Sequence, residues 1–83
     1  MRRSRAEVII DILNAAKEES GKTRIMYDAN MNLASFNKYL RKLTKAGLIV
    51  RIEGSHDKVV YRTTERGINL LQLLEKVEEF ISF

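Results

Sequence analysis

The chain has 83 residues and a formal net charge of +4, and it contains no cysteine and no proline. This length suits one small domain near the lower limit of independent stability. The absence of cysteine excludes disulfide bonds and thiolate metal sites. Apolar runs are only a few residues long, and the basic start, residues 1–5 (MRRSR), lacks the apolar region of a signal peptide. We therefore expect no membrane association and a cytoplasmic location.

Charge is distributed unevenly along the chain. Residues 1–66 hold 14 of the 15 Lys and Arg and 8 of the 11 Asp and Glu, a net charge of +6, whereas residues 67–83 carry −2. This distribution indicates that residues 1–66 bind a polyanion and that residues 67–83 have a different function. The alternative is ordinary charge that keeps the surface solvated.

Two helices are predicted in the N-terminal third. Ser4 and Glu7 have capping-box spacing, so the first helix should begin at Ser4. Apolar residues then recur at helical spacing: Val8, Ile9, Ile12, Leu13 and Ala16. A short second helix is predicted over residues 24–29, with Thr23 as its N-cap. Residues 30–32 form a tight turn, because Asn tolerates turn and cap geometry.

The third helix, predicted over residues 33–46, has the strongest asymmetry in the sequence. Asn32 serves as its N-cap and Gly47 as its stop. Its narrow apolar face contains Leu33, Phe36, Leu40 and Leu43. At about 100° per residue, the opposite face presents Lys38, Arg41, Lys42 and Lys45. The helix holds four basic residues and no acidic one. A solvated surface helix usually mixes the two signs, so this pattern favours contact with a polyanion.

A hairpin and a fourth helix complete the chain. Two β-branched runs, residues 48–53 and 59–63, enclose a polar loop with Gly54 and predict an antiparallel hairpin. The last helix starts near Thr64 and has more apolar surface than one narrow stripe needs. The predicted order is helix, helix, helix, hairpin, helix, which is a mainly α fold with a small β-hairpin in the α+β class.

Several local sequences resemble a known family. Residues 38–49 (KYLRKLTKAGLI) resemble the end of a winged-helix recognition helix that enters its wing, and residues 61–67 (YRTTERG) resemble the exit from that wing. With the first helix and residues 23–27, the whole chain resembles small archaeal winged helix-turn-helix regulators. It is also similar to archaeal chromatin proteins of this fold that dimerise by an antiparallel coiled coil, although its final helix is shorter than a long coiled-coil arm.

This resemblance implies that the helix over residues 33–46 lies in the major groove of double-stranded DNA, which admits an α-helix. Residues near its start would contact base edges, and those further along would contact phosphates. The candidates for base contact are Ser35, Asn37 and Lys38. The candidates for backbone contact are Arg41, Lys42 and Lys45.

Two further segments have both a DNA-binding and a structural interpretation. In the wing, Ser55, His56 and Lys58 would touch the adjacent minor groove or its phosphates, or they form a generic polar turn. Thr23 and Arg24 begin the second helix, where N–H groups and the helix dipole favour phosphate. The alternative is that Thr23 is only an N-cap.

The N-terminal arginines and the tyrosines are also open to two interpretations. Arg2, Arg3 and Arg5 form a short arm that reaches DNA, or they are frayed. Tyrosines at positions 27, 39 and 61 are spread over three elements. This spread favours the core or its rim over base stacking.

The last helix is expected to join two copies of the chain. Ile68 and Leu71 would pack on the first helix of the same chain, and the remaining apolar residues would form a seam against a partner helix. The seam consists of Leu70, Leu73, Leu74, Val77, Phe80 and Ile81. This divides the chain into a winged helix-turn-helix domain, residues 1–63, and a C-terminal helix for dimerisation, residues 64–83.

Three functions remain compatible with the sequence. The resemblance favours a nucleoid-associated, dimeric transcriptional regulator that binds double-stranded DNA. An architectural, chromatin-like protein would use the same contacts, and a winged helix that binds an acidic protein is the third alternative. Catalysis is not expected, because the chain lacks a Cys nucleophile and a glycine-rich phosphate loop. His56 is the only histidine, so no metal site is predicted, and we expect no cofactor or small-molecule ligand.

Overall fold

The computed structural model describes residues 3–81 and has the predicted order of elements. Three helices come first: α1 (Arg5–Ala15), α2 (Lys22–Asp28) and α3 (Leu33–Lys45). A two-stranded antiparallel hairpin follows, with strands β1 (Ile49–Glu53) and β2 (Val59–Thr63) joined by a short 3-10 turn (Ser55–Asp57). Helix α4 (Glu65–Ile81) ends the described chain. The predicted mainly α fold with one hairpin is confirmed.

Side-chain hydrogen bonds at the N-caps determine where α1 and α3 begin. The Glu7 N–H donates to Ser4 Oγ at 3.1 Å, and the Ser4 N–H donates to the Glu7 carboxylate at 3.2 Å, which completes a capping box. The Ser35 N–H donates to Asn32 Oδ1 at 2.9 Å. Gly47 follows α3 with a left-handed φ of +76°, a conformation that glycine adopts without steric cost. These predicted caps and the predicted stop are confirmed.

The predicted N-cap of α2 is wrong. The cap is Gly21, and Thr23 lies inside the first turn of the helix with its side chain exposed. The reason is a tertiary contact: the backbones of Ser20 and Tyr61 exchange two hydrogen bonds, of 3.1 and 2.8 Å. This bridge fixes the chain on β2 immediately before Gly21, so the helix begins at Lys22.

The core lies where α1, α2, α3, the start of β1 and α4 meet. The largest fully buried side chains are Phe36, Ile12, Leu13, Ile25, Ile49 and Leu71. Leu33 belongs to the predicted apolar face of α3 but is 57 % exposed, because it is the first residue of the helix. Tyr27 is 79 % exposed, unlike the half-buried Tyr39 and Tyr61, since α2 turns Ile25 inward instead.

Helix α4 packs one side against α1 and is the longest helix of the described chain. Leu71 is fully buried in the core, and Ile68 is half-buried. At about 1.5 Å per residue its 17 residues span about 25 Å. Within residues 3–81, no helix combines the length and the apolar character that a membrane span needs.

Two threonines connect the hairpin to the neighbouring helices by hydrogen bonds. The Thr63 hydroxyl donates to the Leu13 carbonyl at 2.7 Å, and the Thr64 hydroxyl donates to the Gly47 carbonyl at 2.7 Å. The Thr64 N–H also donates to the Leu48 carbonyl at 3.0 Å. The ends of α1 and α3 and the start of α4 are therefore joined at two consecutive residues.

We expect Gly67→Ala to lower the free energy of unfolding by about 2–3 kcal/mol, because overpacking against backbone cannot be relieved by a rotamer change. A Cβ on Gly67 would overlap the Leu48 carbonyl oxygen and approach Thr63 Cγ2 to 2.6 Å. Urea unfolding followed by circular dichroism measures the change. Gly21→Ala is the control: its Cβ would meet no atom within 4 Å, so a shift under about 0.5 kcal/mol is expected. Equal unfolding midpoints for the two variants would contradict the expected close packing.

Candidate nucleic-acid interface

The basic face of α3 is open to solvent. Lys38, Arg41, Lys42 and Lys45 are all exposed, whereas the opposite side of the helix is buried in the core. Among residues 3–81, the ion pairs involve other residues, and none of these four cations has a carboxylate within 4.0 Å. Their charge is therefore available to an anion outside the molecule.

The predicted base-contact residues differ in accessibility. Ser35 and Lys38 are exposed on the first two turns of α3. Asn37 is half-buried, and its Oδ1 atom is buried without a hydrogen-bond partner in the described part of the chain. Ser35 and Lys38 are therefore more accessible to a base edge than the Oδ1 atom of Asn37.

A groove between α1 and α3 lies along one side of the basic face. We call it the α1–α3 groove. Its cations are Arg5, Lys38 and Lys42, and its apolar wall is formed by Ile9, Tyr39 and Leu43. Arg5 is the first residue of α1 and is exposed, so this groove brings an N-terminal arginine beside the basic face of α3.

A second groove, the α3–hairpin groove, lies along the other side of α3. Its charged walls come from three elements: Lys22 begins α2, Arg41 and Lys45 lie on α3, and Arg51 lies on β1. Arg51 pairs with Tyr61 across the hairpin, so the two side chains share one face of the sheet and both line the groove. Sequence reasoning missed Arg51, because alternation within a strand does not say which face will meet α3.

Arg51 has an internal partner in Glu53, two residues further along the same face of β1. Arg51 Nη1 lies 2.7 Å from Glu53 Oε1. This hydrogen bond raises the pKa of Arg51 above its ordinary value. Arg62 is placed differently: it pairs with Glu19 at 3.7 Å, and it does not line the α3–hairpin groove.

Arg3 and Arg5 do not belong to one arm. Arg3 Nη1 lies 2.6 Å from the Asp11 carboxylate and donates to the Ala29 carbonyl at 2.7 Å, and Arg3 Nη2 donates to the Asn30 carbonyl at 2.8 Å. Arg3 therefore ties the turn between α2 and α3 to α1, which corrects its expected place in a DNA-reaching or frayed arm. Arg2 lies outside the described residues.

Comparison with known proteins identifies the family. A family model described as winged helix-turn-helix matches residues 2–82. The chain belongs to the winged helix-turn-helix family. In this family's terms, α2 and α3 correspond to the helix-turn-helix and the hairpin corresponds to the wing.

The predicted likeness to archaeal proteins is also confirmed. An uncharacterized protein of Methanocaldococcus jannaschii, MJ0287, is 38% identical over 82 residues, which cover 98% of this chain and 79% of that protein. Sso10a-2, a DNA-binding protein from Sulfolobus solfataricus, is similar in structure, with a TM-score of 0.85 and 31% identity over 94% of this chain and 81% of that chain. The transcriptional regulator BldR from Sulfolobus solfataricus shares the fold at 23% identity, with a TM-score of 0.74 over 90% of this chain and 60% of that chain.

The wing ends in a tight, exposed tip. Ser55, His56 and Lys58 are all exposed there. His56 and Asp57 adopt left-handed φ values of +60° and +58°, which reverse the chain within the 3-10 turn. On the second helix of the family fold, Thr23 and Arg24 are exposed, and Arg24 pairs with Asp28 at 3.3 Å.

Residues 3–81 leave most of the predicted seam on α4 uncovered. Val77 is 55 % exposed and Phe80 is 91 % exposed, and Leu73 and Ile81 are exposed as well. Leu70 is half-buried and packs against the core, and Leu74 is half-buried. The apolar surface of α4 therefore grows more exposed toward its C-terminal end.

Proposed function

We propose that this winged helix-turn-helix chain is a dimeric, nucleoid-associated transcriptional regulator that binds double-stranded DNA. The observation that carries the proposal is the exposed face of α3, whose four cations have no acidic partner among residues 3–81. An α-helix with side chains is about 10–12 Å across, and the major groove of B-DNA is about 12 Å wide. The likeness to the DNA-binding protein Sso10a-2 supports the same partner.

The proposed contacts change along the length of α3, which lies in the major groove of the DNA. Its first two turns meet base edges through Ser35, Lys38 and Asn37, and its later turns meet phosphates through Arg41, Lys42 and Lys45. The wing lies beside the neighbouring minor groove. Additional proposed contacts are Thr23, Arg24, Ser55, His56 and Lys58.

The proposed dimer joins two α4 helices. Leu70, Leu73, Val77 and Phe80 have the 3-4-3 spacing of a coiled-coil seam, and the exposed ones form an apolar strip that would otherwise remain in water. Leu74 and Ile81 flank this seam. A two-fold pair presents two recognition helices, which suits half-sites about 34 Å apart, or a multiple of that distance.

An architectural DNA-binding role is the second candidate. It is favoured by the buried Oδ1 of Asn37, which removes one hydrogen-bond acceptor from base recognition at the start of α3. Competition with excess random DNA separates the two roles, because a site-specific protein stays on its operator and an architectural protein is removed. Selection of bound fragments from genomic DNA would supply the operator, if a consensus emerges.

We expect Lys38→Glu with Arg41→Glu to weaken binding to a mixed-sequence duplex at least about 100-fold, because both lost cations become repulsive to phosphate. Fluorescence anisotropy at several salt concentrations measures this loss. For the unmodified protein, about six phosphate contacts predict a slope of about −5 for log K against log salt.

The matched control for this pair is Lys17→Glu with Arg66→Glu, which changes the net charge equally at exposed positions outside α3 and its two grooves. It should bind within about threefold of the unmodified protein. If the α3 pair binds DNA as well as this control does, the groove assignment fails and an acidic protein partner becomes the better hypothesis.

We expect Val77→Asp with Phe80→Asp to give monomers, because four buried carboxylates at the seam of a dimer would be strongly unfavourable. Both side chains are exposed in the single chain, so the fold should persist. Sedimentation equilibrium measures the mass. Lys17→Glu changes the net charge equally at an exposed position outside α4 and should leave the dimer intact. A dimeric mass for the Val77 and Phe80 variant, or a monomeric unmodified protein, rules out this seam.

A further inference from the structure

The α3–hairpin groove contains more positive charge than the recognition helix alone supplies. Arg41 and Lys45 of α3 face Arg51 of β1 across it, and Lys22 closes one end. Lys22 is held there because Ser20 is bridged to Tyr61, the cross-strand partner of Arg51. Four cations from α2, α3 and β1 therefore converge on one groove.

The position of this groove identifies the chemistry that fits it. If α3 occupies the major groove and the wing lies beside the adjacent minor groove, the groove between them faces the sugar-phosphate backbone that separates the two. Phosphate diesters are singly charged, and they accept hydrogen bonds from Arg and Lys without carrying sequence information.

We propose that Arg51 is a further DNA-contacting residue that binds a backbone phosphate in this groove, and that Glu53 competes with the phosphate for it. The proposal rests on the proposed function and adds a residue and a regulating partner to it. The 2.7 Å contact with Glu53 uses the Nη1 atom of Arg51 in the free protein. A phosphate that binds at Nη1 competes with the Glu53 carboxylate and approaches its negative charge, so the internal pair lowers DNA affinity.

Arg51→Gln tests the contact. We expect it to weaken binding to a mixed-sequence duplex of about 30 base pairs roughly tenfold at low salt, and to reduce the magnitude of the salt slope by about 0.9. Arg62→Gln is the matched control, since Arg62 lies on the same hairpin, also pairs with a glutamate and does not line the groove. It should leave the salt slope unchanged.

Glu53→Gln tests the competition and should tighten binding. An exposed ion pair of this kind is worth little, so the expected gain is about 1.5- to 5-fold. The gain in affinity should disappear in the Arg51→Gln background. Without the Arg51 guanidinium, Glu53 no longer competes with a phosphate for it. Glu19→Gln, which frees Arg62 in the same way, should have no effect on affinity. Thermal unfolding of all variants verifies that the fold is unchanged.

Two results would overturn the inference while leaving the proposed function standing. One is that Arg51→Gln and Arg62→Gln give the same affinity and salt slope. The other is that Glu53→Gln tightens binding equally with and without Arg51. That result would mean that the negative charge of Glu53 repels DNA independently of Arg51. An unmodified protein that binds no duplex would instead overturn the proposed function together with this inference.

Discussion

The relative placement of the helices depends on hydrogen bonds at one junction. Thr63 donates its N–H to the Ala16 carbonyl at 2.8 Å and its hydroxyl to the Leu13 carbonyl at 2.7 Å, which ties β2 to the end of α1. The next residue, Thr64, donates its hydroxyl to the carbonyl of Gly47, two residues after the end of α3, in a solvent-exposed bond. The Thr63 hydroxyl bond is buried, and buried donors and acceptors are costly to leave unpaired, so the junction resists a change of angle between α1 and the hairpin, and Thr64 links it to α3. Both grooves beside α3 depend on those angles.

The cations of α3 do not all carry the same weight as evidence for DNA binding. Lys42 and Lys45 lie in its last turn, where positive charge also stabilises the helix dipole. Their presence therefore has a structural explanation. Lys38 and Arg41 lie nearer the middle of the helix, and the dipole does not account for them. Arg51 adds independent weight, because it comes from a different element and points into the same groove.

The sequence predicted those features that depend on neighbouring residues. The cap at Ser4 and the cap at Asn32 follow from spacing within one helical turn, and both are present. The start of α2 was predicted wrongly at Thr23, because it is set by a bridge to Tyr61, about forty residues away. Arg51 was missed for the same reason: a strand pattern gives alternation, and only the packing of the hairpin on α3 decides which face lines the groove. The fold was thus predictable from local rules, and the full extent of the candidate interface was not.

Helix α4 has to satisfy two sets of contacts at once. Leu71 is buried in the domain core, Phe80 is almost fully exposed, and Leu70 lies between them, partly packed against the core and also within the proposed seam. A dimer built on this seam would be continuous with the two domain cores at one end of α4. Rotation of one subunit against the other would then disturb core packing, which is dense and resists small changes. In such a dimer, this continuity would hold the two α3 helices at a fixed spacing.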